Sequence, residues 1–160
     1  MRTPINLGHK SRYAHSVQET GEMEQRELLL SLFGGVSVTE RAHVGRIDFD
    51  LAKLIGGRTD GVKVSPVTVM KVKGKHTTVL YSDLELLQHG FSAGRVQRDT
   101  PRSLIFLFND PRQVTRTLMA VVKASRDGAE ILLTTYHPCT GKRLIAAMKR
   151  GVVIRDPEKW

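Results

Sequence analysis

The sequence predicts an α+β fold, with N-terminal helices followed by an antiparallel sheet of about four or five strands and a short C-terminal helix. Three observations support this prediction. Apolar residues recur near helical spacing in ETGEMEQRELLLSLF (19–33). The run SLIFLF (103–108) is compact and apolar, as expected of a central strand. Asp127-Gly128 lies between two apolar runs and is a strong hairpin signal. Helices and strands that are segregated along the chain indicate α+β.

The N-terminal part divides into an arm and the start of a domain. Residues 1–15 are polar and basic without an apolar period, and we interpret them as a flexible arm before a single domain at 16–160. Ser16 with Glu19 resembles a capping box that opens the first helix. For residues 36–47 a short strand, a helical turn and a loop all stay open. Asp48 is expected to cap a short helix, FDLAKLI.

The middle of the chain predicts a hairpin followed by a helix. PVTVMKVK (66–73) alternates like a strand, and HTTVLY (76–81) is its expected partner across a Gly turn. Ser82 with Glu85 forms a second capping box before DLELLQH, which Gly90 would end. FSAGRVQRDTPR (91–102) is interpreted as a loop.

The C-terminal part predicts two further strands, a helix and an edge strand. The Asp-Gly turn joins residues 116–124 to residues 129–136 in a hairpin. GKRLIAAMKRG (141–151) is expected to form the C-terminal helix, and VVIR (152–155) a last edge strand.

Charge is the most informative part of the composition. The 160 residues carry a net charge of +9 with a pI near 10.1, which indicates an anionic partner such as nucleic acid, an acidic protein or a membrane surface. Residues 112–160 hold ten Lys and Arg against four acids, a net +6. The single cysteine and the apolar-poor N-terminus favour a cytoplasmic protein without a secretory signal. No stretch of the sequence approaches the length of a membrane span.

Known metal and cofactor motifs are missing from the sequence. Six histidines and one cysteine occur without CxxC or HExxH spacing, so no metal site is expected. Walker A, GxGxxG and GxSxG patterns are also missing, so no cofactor and no serine-hydrolase elbow is expected.

The segment ILLTTYHPCTGKRL (131–144) concentrates the residue types that metal-free RNA cleavage requires. Such cleavage removes a proton from the 2′-hydroxyl, adds one to the 5′-oxygen and stabilises the charged phosphorane. Histidine is the natural proton carrier, and Arg or Lys supplies the positive charge. The candidate catalytic residues are His137, Tyr136, His76 and Arg143. The candidate nucleic-acid-binding residues are Thr134, Thr135, Lys142, Arg116, Lys149 and Arg150.

Strand alternation limits how these residues can converge. It places Thr135 and His137 on one face of the strand, and Thr134 and Tyr136 on the other. Convergence of all four therefore requires a bend at Pro138. Tyr136 can instead be a core residue with its hydroxyl at the rim, and His137 an inert strand end.

The segment RTLMAVVKASRDGAEILLTTYHPCTGKRL (116–144) resembles the last hairpin of small metal-independent ribonuclease domains of the barnase–EndoU–colicin–RelE type, and the likeness extends over residues 103–144. The resemblance implies helices before a four-stranded antiparallel sheet. It also implies a polar strand end at residues 134–137 that faces RNA, and a phosphate-holding cation at Lys142 or Arg143. For the earlier histidine or acid of these domains, His76 and His43 are the available matches.

These observations predict an RNA-binding protein that acts as a toxin-like, metal-independent endoribonuclease. RNA is preferred over DNA as the partner, with an acidic antitoxin or immunity protein as a possible second partner and no membrane. The alternative is a non-catalytic, basic nucleic-acid-binding or protein-interaction factor of phage or mobile-element type. Because aromatics make up only 6% of the chain, such binding would depend on phosphates more than on base stacking.

Overall fold

A seven-stranded mixed sheet forms the centre of the molecule. The computed structural model describes residues 27, 28, 30, 41–75 and 81–160. The strands are β1 (Ala42–Arg46), β2 (Gly61–Val64), β3 (Arg95–Thr100), β4 (Ser103–Asp110), β5 (Gln113–Ala124), β6 (Ile131–Pro138) and β7 (Val152–Arg155). Their spatial order is β1-β2-β6-β5-β4-β3-β7. The β2–β6 pair is parallel and the other five neighbouring pairs are antiparallel.

Five helices with described bounds accompany this sheet. They are α1 (Phe49–Leu54), α2 (Pro66–Lys75), α3 (Tyr81–Leu84), α4 (Leu87–Ala93) and α5 (Gly141–Met148). The first face of the sheet carries the main core, which includes Phe91 of α4 together with Phe106, Val122 and Leu133 of the central strands. The second face carries a smaller core under α5, in which Ile105, Leu107 and Met119 pack with Cys139 and Ala147.

The predicted architecture is wrong in two respects. The sheet has seven strands rather than four or five, and it is mixed rather than antiparallel. The helices whose bounds are described, α1 to α5, all begin after β1 rather than before the sheet. Of the predicted first helix, only Glu27, Leu28 and Leu30 are described, and they are helical. The proposed arm at 1–15 lies outside the described residues.

The predicted strand at 66–73 is a helix, because its start signal outweighs its alternation. Ser65 Oγ accepts the N–H of Thr68 at 3.2 Å, and Pro66 occupies the first helical position, where its fixed φ fits and no N–H is needed. The helix buries Val69 and Val72, three positions apart, and leaves Val67 exposed. The β-branched residues therefore serve a helical face rather than a strand.

Three predictions also fail around α3 and α4. Gly90 does not end a helix but lies inside α4, where a Cβ would come within 2.2 Å of the Phe108 ring. The chain then enters β3 at Arg95, although its sequence predicted a loop. Val96 and Gln97 are buried because β3 is enclosed between β4 and β7, a pairing that local composition does not encode. Ser82 follows the start of α3 at Tyr81, so it is not the cap.

Other predicted elements are confirmed. β4 spans the apolar run, α1 follows Asp48, and β7 lies at one edge of the sheet. The Asp-Gly hairpin joins β5 to β6, with Gly128 at φ +75°. A Cβ on Gly128 would lie 2.2 Å from the carbonyl oxygen of Gly56, so this turn packs closely on the end of α1. The C-terminal helix is confirmed as α5.

Candidate nucleic-acid interface

A bulge in β6 decides which side chains reach the second face of the sheet. Leu133 pairs with Val122 while Thr135 pairs with Val121, so Thr134 is the extra residue between them. The Thr134 hydroxyl donates to the carbonyl of Val121 at 3.2 Å, and this hydrogen bond connects the bulged residue to β5. Beyond the bulge, Thr135 faces the second side of the sheet.

His137 follows Thr135 on this second side. It pairs with Met119, a residue of the core under α5. The predicted separation of Thr135 and His137 from Tyr136 therefore agrees with the register. The polar strand end does not converge as a whole, and only part of it faces α5.

The junction from β6 to α5 forms a groove beside His137. Pro138 ends the strand, and Gly141 at φ +60° opens the helix. The groove has a volume of about 320 Å³ and is lined by Met119, His137, Cys139, Arg143, Ala146, Ala147 and Arg150. The structure thus brings the candidate residues His137, Arg143 and Arg150 together.

Cations dominate the polar lining of this groove. Within the described part of the chain, Arg143 has no ion pair or hydrogen bond. Arg150 is partly neutralised by an ion pair, because its Nη2 lies 2.7 Å from Asp99 Oδ2. A negatively charged group entering the groove would meet the Arg143 guanidinium without first displacing a protein carboxylate.

Gln97 of β3 fixes the end of α5 that borders the groove. Its side-chain amide donates to the carbonyl oxygens of Ala147 at 2.8 Å and of Arg150 at 2.7 Å. Gln97 is fully buried, and its bond to the Ala147 carbonyl is shielded from water, while the bond to Arg150 is partly buried. The last turn of α5, and with it the backbone of Arg150, is therefore held against the sheet.

The hydrogen bond of the His137 ring defines its tautomer. Nδ1 lies 2.7 Å from the carbonyl oxygen of Pro138. A carbonyl oxygen only accepts, so Nδ1 carries the proton of this bond. In the neutral ring, Nε2 then holds the lone pair, which is the state that a general base requires.

Cys139 contributes a buried thiol rather than a nucleophile. It is 2% exposed and packs in the core under α5. Burial raises its pKa, an effect that the nearby Arg143 partly opposes. The protonated thiol is therefore the expected form at neutral pH, and thiolate chemistry is disfavoured.

Tyr136 does not reach the groove. It is fully buried in the main core on the first face, and its hydroxyl donates to the carbonyl oxygen of Asp83. Burial raises the pKa of Tyr136 well above its usual range, with the Asp83 carboxylate adding to the effect. The prediction that Tyr136 joins His137 in catalysis conflicts with this position, because the sheet separates the two side chains.

Arg116 likewise has a structural environment away from the groove. Its guanidinium contacts Asp83 Oδ1 at 2.8 Å and Asp110 Oδ2 at 3.0 Å. Arg112 contacts the same two carboxylates at 2.6 and 3.0 Å. These four residues form a cluster, the Asp83–Asp110–Arg112–Arg116 network, in which both carboxylates are 2% exposed. The prediction of Arg116 as an RNA contact is at odds with this pairing.

The network holds the pKa of Asp110 well below its usual range, mainly through the hydrogen bond from Arg112, with Arg116 contributing. The same bonds raise the pKa of Arg112 and Arg116. Sequence reasoning missed this cluster. The available signal was two arginines soon after Asp110, with Arg112 in the turn and Arg116 on the strand that follows it.

The remaining candidates lie around the groove or outside it. Lys142 lies in the first turn of α5 and Lys149 directly follows its last residue; both are exposed, without ion pairs in the part of the chain that the structure describes. His76 lies outside the described residues. His43 belongs to β1, three strands from β5, and burial lowers its pKa, with Lys63 and Arg46 adding to the effect.

A second depression, of about 510 Å³, lies at the end of the β4–β5 hairpin. Its lining includes His89, Val114 and Trp160, and also Asp110, Glu158 and Lys159. The two carboxylates make this surface less suited to an anion than the groove beside His137, although its volume is greater.

Comparison of the chain with protein-family models, with curated proteins and with solved structures gives no match. Within residues 41–75 and 81–160, no three His, Cys, Asp or Glu side chains are grouped as a metal site would require. None of the described helices is long and apolar enough to cross a membrane.

Proposed function

We propose that this protein binds RNA in the groove beside His137 and cleaves it without a metal ion. One observation carries the proposal: Arg143 and the His137 imidazole line the same groove, Arg143 without a carboxylate partner among the described residues and His137 oriented by the bond from Nδ1 to the carbonyl of Pro138. The net charge of +9 supports an anionic polymer as the ligand. We place this activity in the cytoplasm.

The proposed reaction uses few groups. His137 Nε2 accepts the proton of a ribose 2′-hydroxyl, whose oxygen attacks the adjacent phosphorus. The bond from phosphorus to the 5′-oxygen breaks, which leaves a cyclic 2′,3′-phosphate. The departing 5′-oxygen takes a proton from the imidazolium or from water. Arg143, with Arg150 beside it, stabilises the negative charge that accumulates on the phosphorane oxygens.

Incubation of the purified protein with end-labelled RNA in EDTA tests the proposal. Wild-type protein should cut the RNA and leave cyclic phosphate ends. His137→Gln should abolish cutting while RNA is still bound, and Arg143→Gln should weaken both. Lys71→Gln is the matched control, because it removes one positive charge from the exposed side of α2 and should leave both unchanged.

The outcomes separate the two candidate functions. Salt-sensitive binding that Arg143→Gln weakens, without cleavage in wild type, would favour the non-catalytic binder. Cutting that persists in both His137→Gln and Arg143→Gln would assign the activity to another site or to a contaminant. RNA that stays unbound at protein excess would rule out both.

A further inference from the structure

The second face of the sheet continues beyond α5. The helix packs on Ile105, Leu107 and Met119, which belong to β4 and β5. Beyond it, the same face of β5, β6, β2 and β1 presents Val121, Thr135, Lys123, Leu132, Lys63 and His43. The registers assign these residues to this face, because their neighbours at alternate positions, such as Val122 and Ile131, lie in the main core on the other face.

Four of these residues form a row across the strands. His43 pairs with Lys63, Lys63 with Leu132, and Leu132 with Lys123. Neighbouring strands lie roughly 4.8 Å apart, so the row extends for about 14 Å. Lys123 is four residues along β5 from Met119, which lines the groove, and this adds a distance of about 13 Å. A continuous surface of this length connects the groove to the β1 edge.

The charges of this surface favour an anion. Lys63 and Lys123 make no ion pair within the described residues. Glu130, the acid that precedes β6, is already bound by Arg41 at 2.9 Å. Asp60, the acid that precedes β2, is bound by Arg46 at 3.0 Å. The nearby acids are thus neutralised by other cations, while the two lysines of the row are not.

The apolar content of the surface favours a single strand. Leu132 and Val121 are partly exposed between the cations, and Thr135 adds a hydroxyl. Unpaired bases can contact these side chains, whereas a duplex keeps its bases stacked inside. The His43 ring lies over Gly61, where a Cβ would come within 2.5 Å of it, so a flat ring closes the far end of the surface.

We propose that single-stranded RNA is the substrate class, and that its chain runs from the groove across Thr135, Lys123 and Lys63 toward His43. This inference rests on the proposed function, since the groove supplies one end of the track. It adds a footprint of several nucleotides and places two phosphate contacts outside the catalytic groove.

Fluorescence anisotropy with 2′-O-methyl oligouridylates tests the track, since these ligands lack the 2′-hydroxyl and are not cut. The probes are a dinucleotide, a strand of about ten nucleotides and a duplex of equal length. The double variant Lys63→Gln/Lys123→Gln should weaken the long strand several-fold. It should also reduce the magnitude of the slope of log association constant against log salt concentration by about 1.4. Each phosphate contact with a single strand contributes about 0.7 to this slope, and the variant removes two contacts. Dinucleotide binding should not change.

The matched control is Lys53→Gln/Lys71→Gln, which removes two charges from helices and should leave all three ligands unaffected. If Arg143→Gln weakens the long strand and the Lys63/Lys123 variant does not, the track is wrong and the groove proposal stands. If the Lys63/Lys123 variant weakens it and Arg143→Gln does not, the proposed function fails at the groove. A duplex bound as tightly as the single strand would overturn the substrate class.

Discussion

Replacing Arg116 by methionine should destabilise the protein by about 3 kcal/mol. Arg116 is 17% exposed and binds Asp83 and Asp110, which are 2% exposed. Removing one partner of a buried ion pair costs about 3–5 kcal/mol, since it leaves an uncompensated charge away from water. Arg112 still contacts both carboxylates, and its half-exposed side chain keeps the expected cost at the lower end. Methionine preserves the length of the side chain without its charge.

The measurement is urea unfolding at neutral pH, with thermal unfolding beside it. A loss of this size should lower Tm by roughly 6–12 °C in a chain of this length. The stability of Arg116→Lys should lie between that of wild type and that of Arg116→Met. Lysine retains the positive charge but lacks the two guanidinium nitrogens that reach both acids. Arg126→Gln is the control: it changes an exposed arginine without an ion pair among the described residues, and should stay within about 0.5 kcal/mol of wild type.

The network also predicts how stability depends on pH. The folded-state pKa of Asp110 lies below its unfolded value because Arg112 and Arg116 favour the carboxylate. The contribution of Asp110 to the free energy of unfolding is therefore complete above about pH 4, near the pKa of an unfolded aspartate. It is lost as the pH falls further. In Arg116→Met, the free energy of unfolding should therefore fall less between about pH 4 and lower pH than it does in wild type. If the variant matches wild type both in stability at neutral pH and in its loss of stability at acid pH, the network does not stabilise the fold.

Three further predictions concern single side chains. Tyr136→Phe should lower stability by about 1 kcal/mol, because the Asp83 carbonyl loses one of its two donors and keeps the N–H of Leu86, and should leave RNA binding unchanged; a loss of RNA binding in the folded variant would place the hydroxyl in the site after all. Gly128→Ala should destabilise more than Gly141→Ala in urea unfolding, since both glycines have positive φ but only the first meets a backbone oxygen; equal losses would remove the packing argument. Cys139, whose pKa burial raises, should react with a thiol reagent far more slowly than free cysteine at pH 8, and equal rates would show that it is not buried in solution.

Local signals in the sequence predicted the elements that local chemistry determines. Asp127-Gly128 fixed the β5–β6 hairpin, and the apolar run at 103–108 fixed β4, because turn conformation and burial of a central strand are encoded within a few residues. At Ser65-Pro66 the same kind of signal was present and was outweighed in the prediction by alternating β-branched residues. A capping residue followed by proline is the stronger signal of the two.

Pairing over long distances could not be predicted in this way. β3 is charged at three of its six positions and becomes a strand because β4 and β7 enclose it. The site shows the same division. The register of β6 could be predicted far enough to separate His137 from Tyr136, whereas the pairing of Arg116 with Asp83 requires contacts between positions 33 residues apart.

The parallel pairing of β2 with β6 has a consequence for how the chain folds. Val62 and Ile131, which pair, are 69 residues apart in sequence, while β3 to β6 form successive hairpins with short connections. Closing the long loop costs entropy before its contacts form, so the β1–β2 pair is expected to dock last and to open first. Amide protons of β2 should then exchange with solvent earlier than those of β4. In the folded protein, the part of the proposed RNA surface that Lys63 supplies would then open before the part on β5.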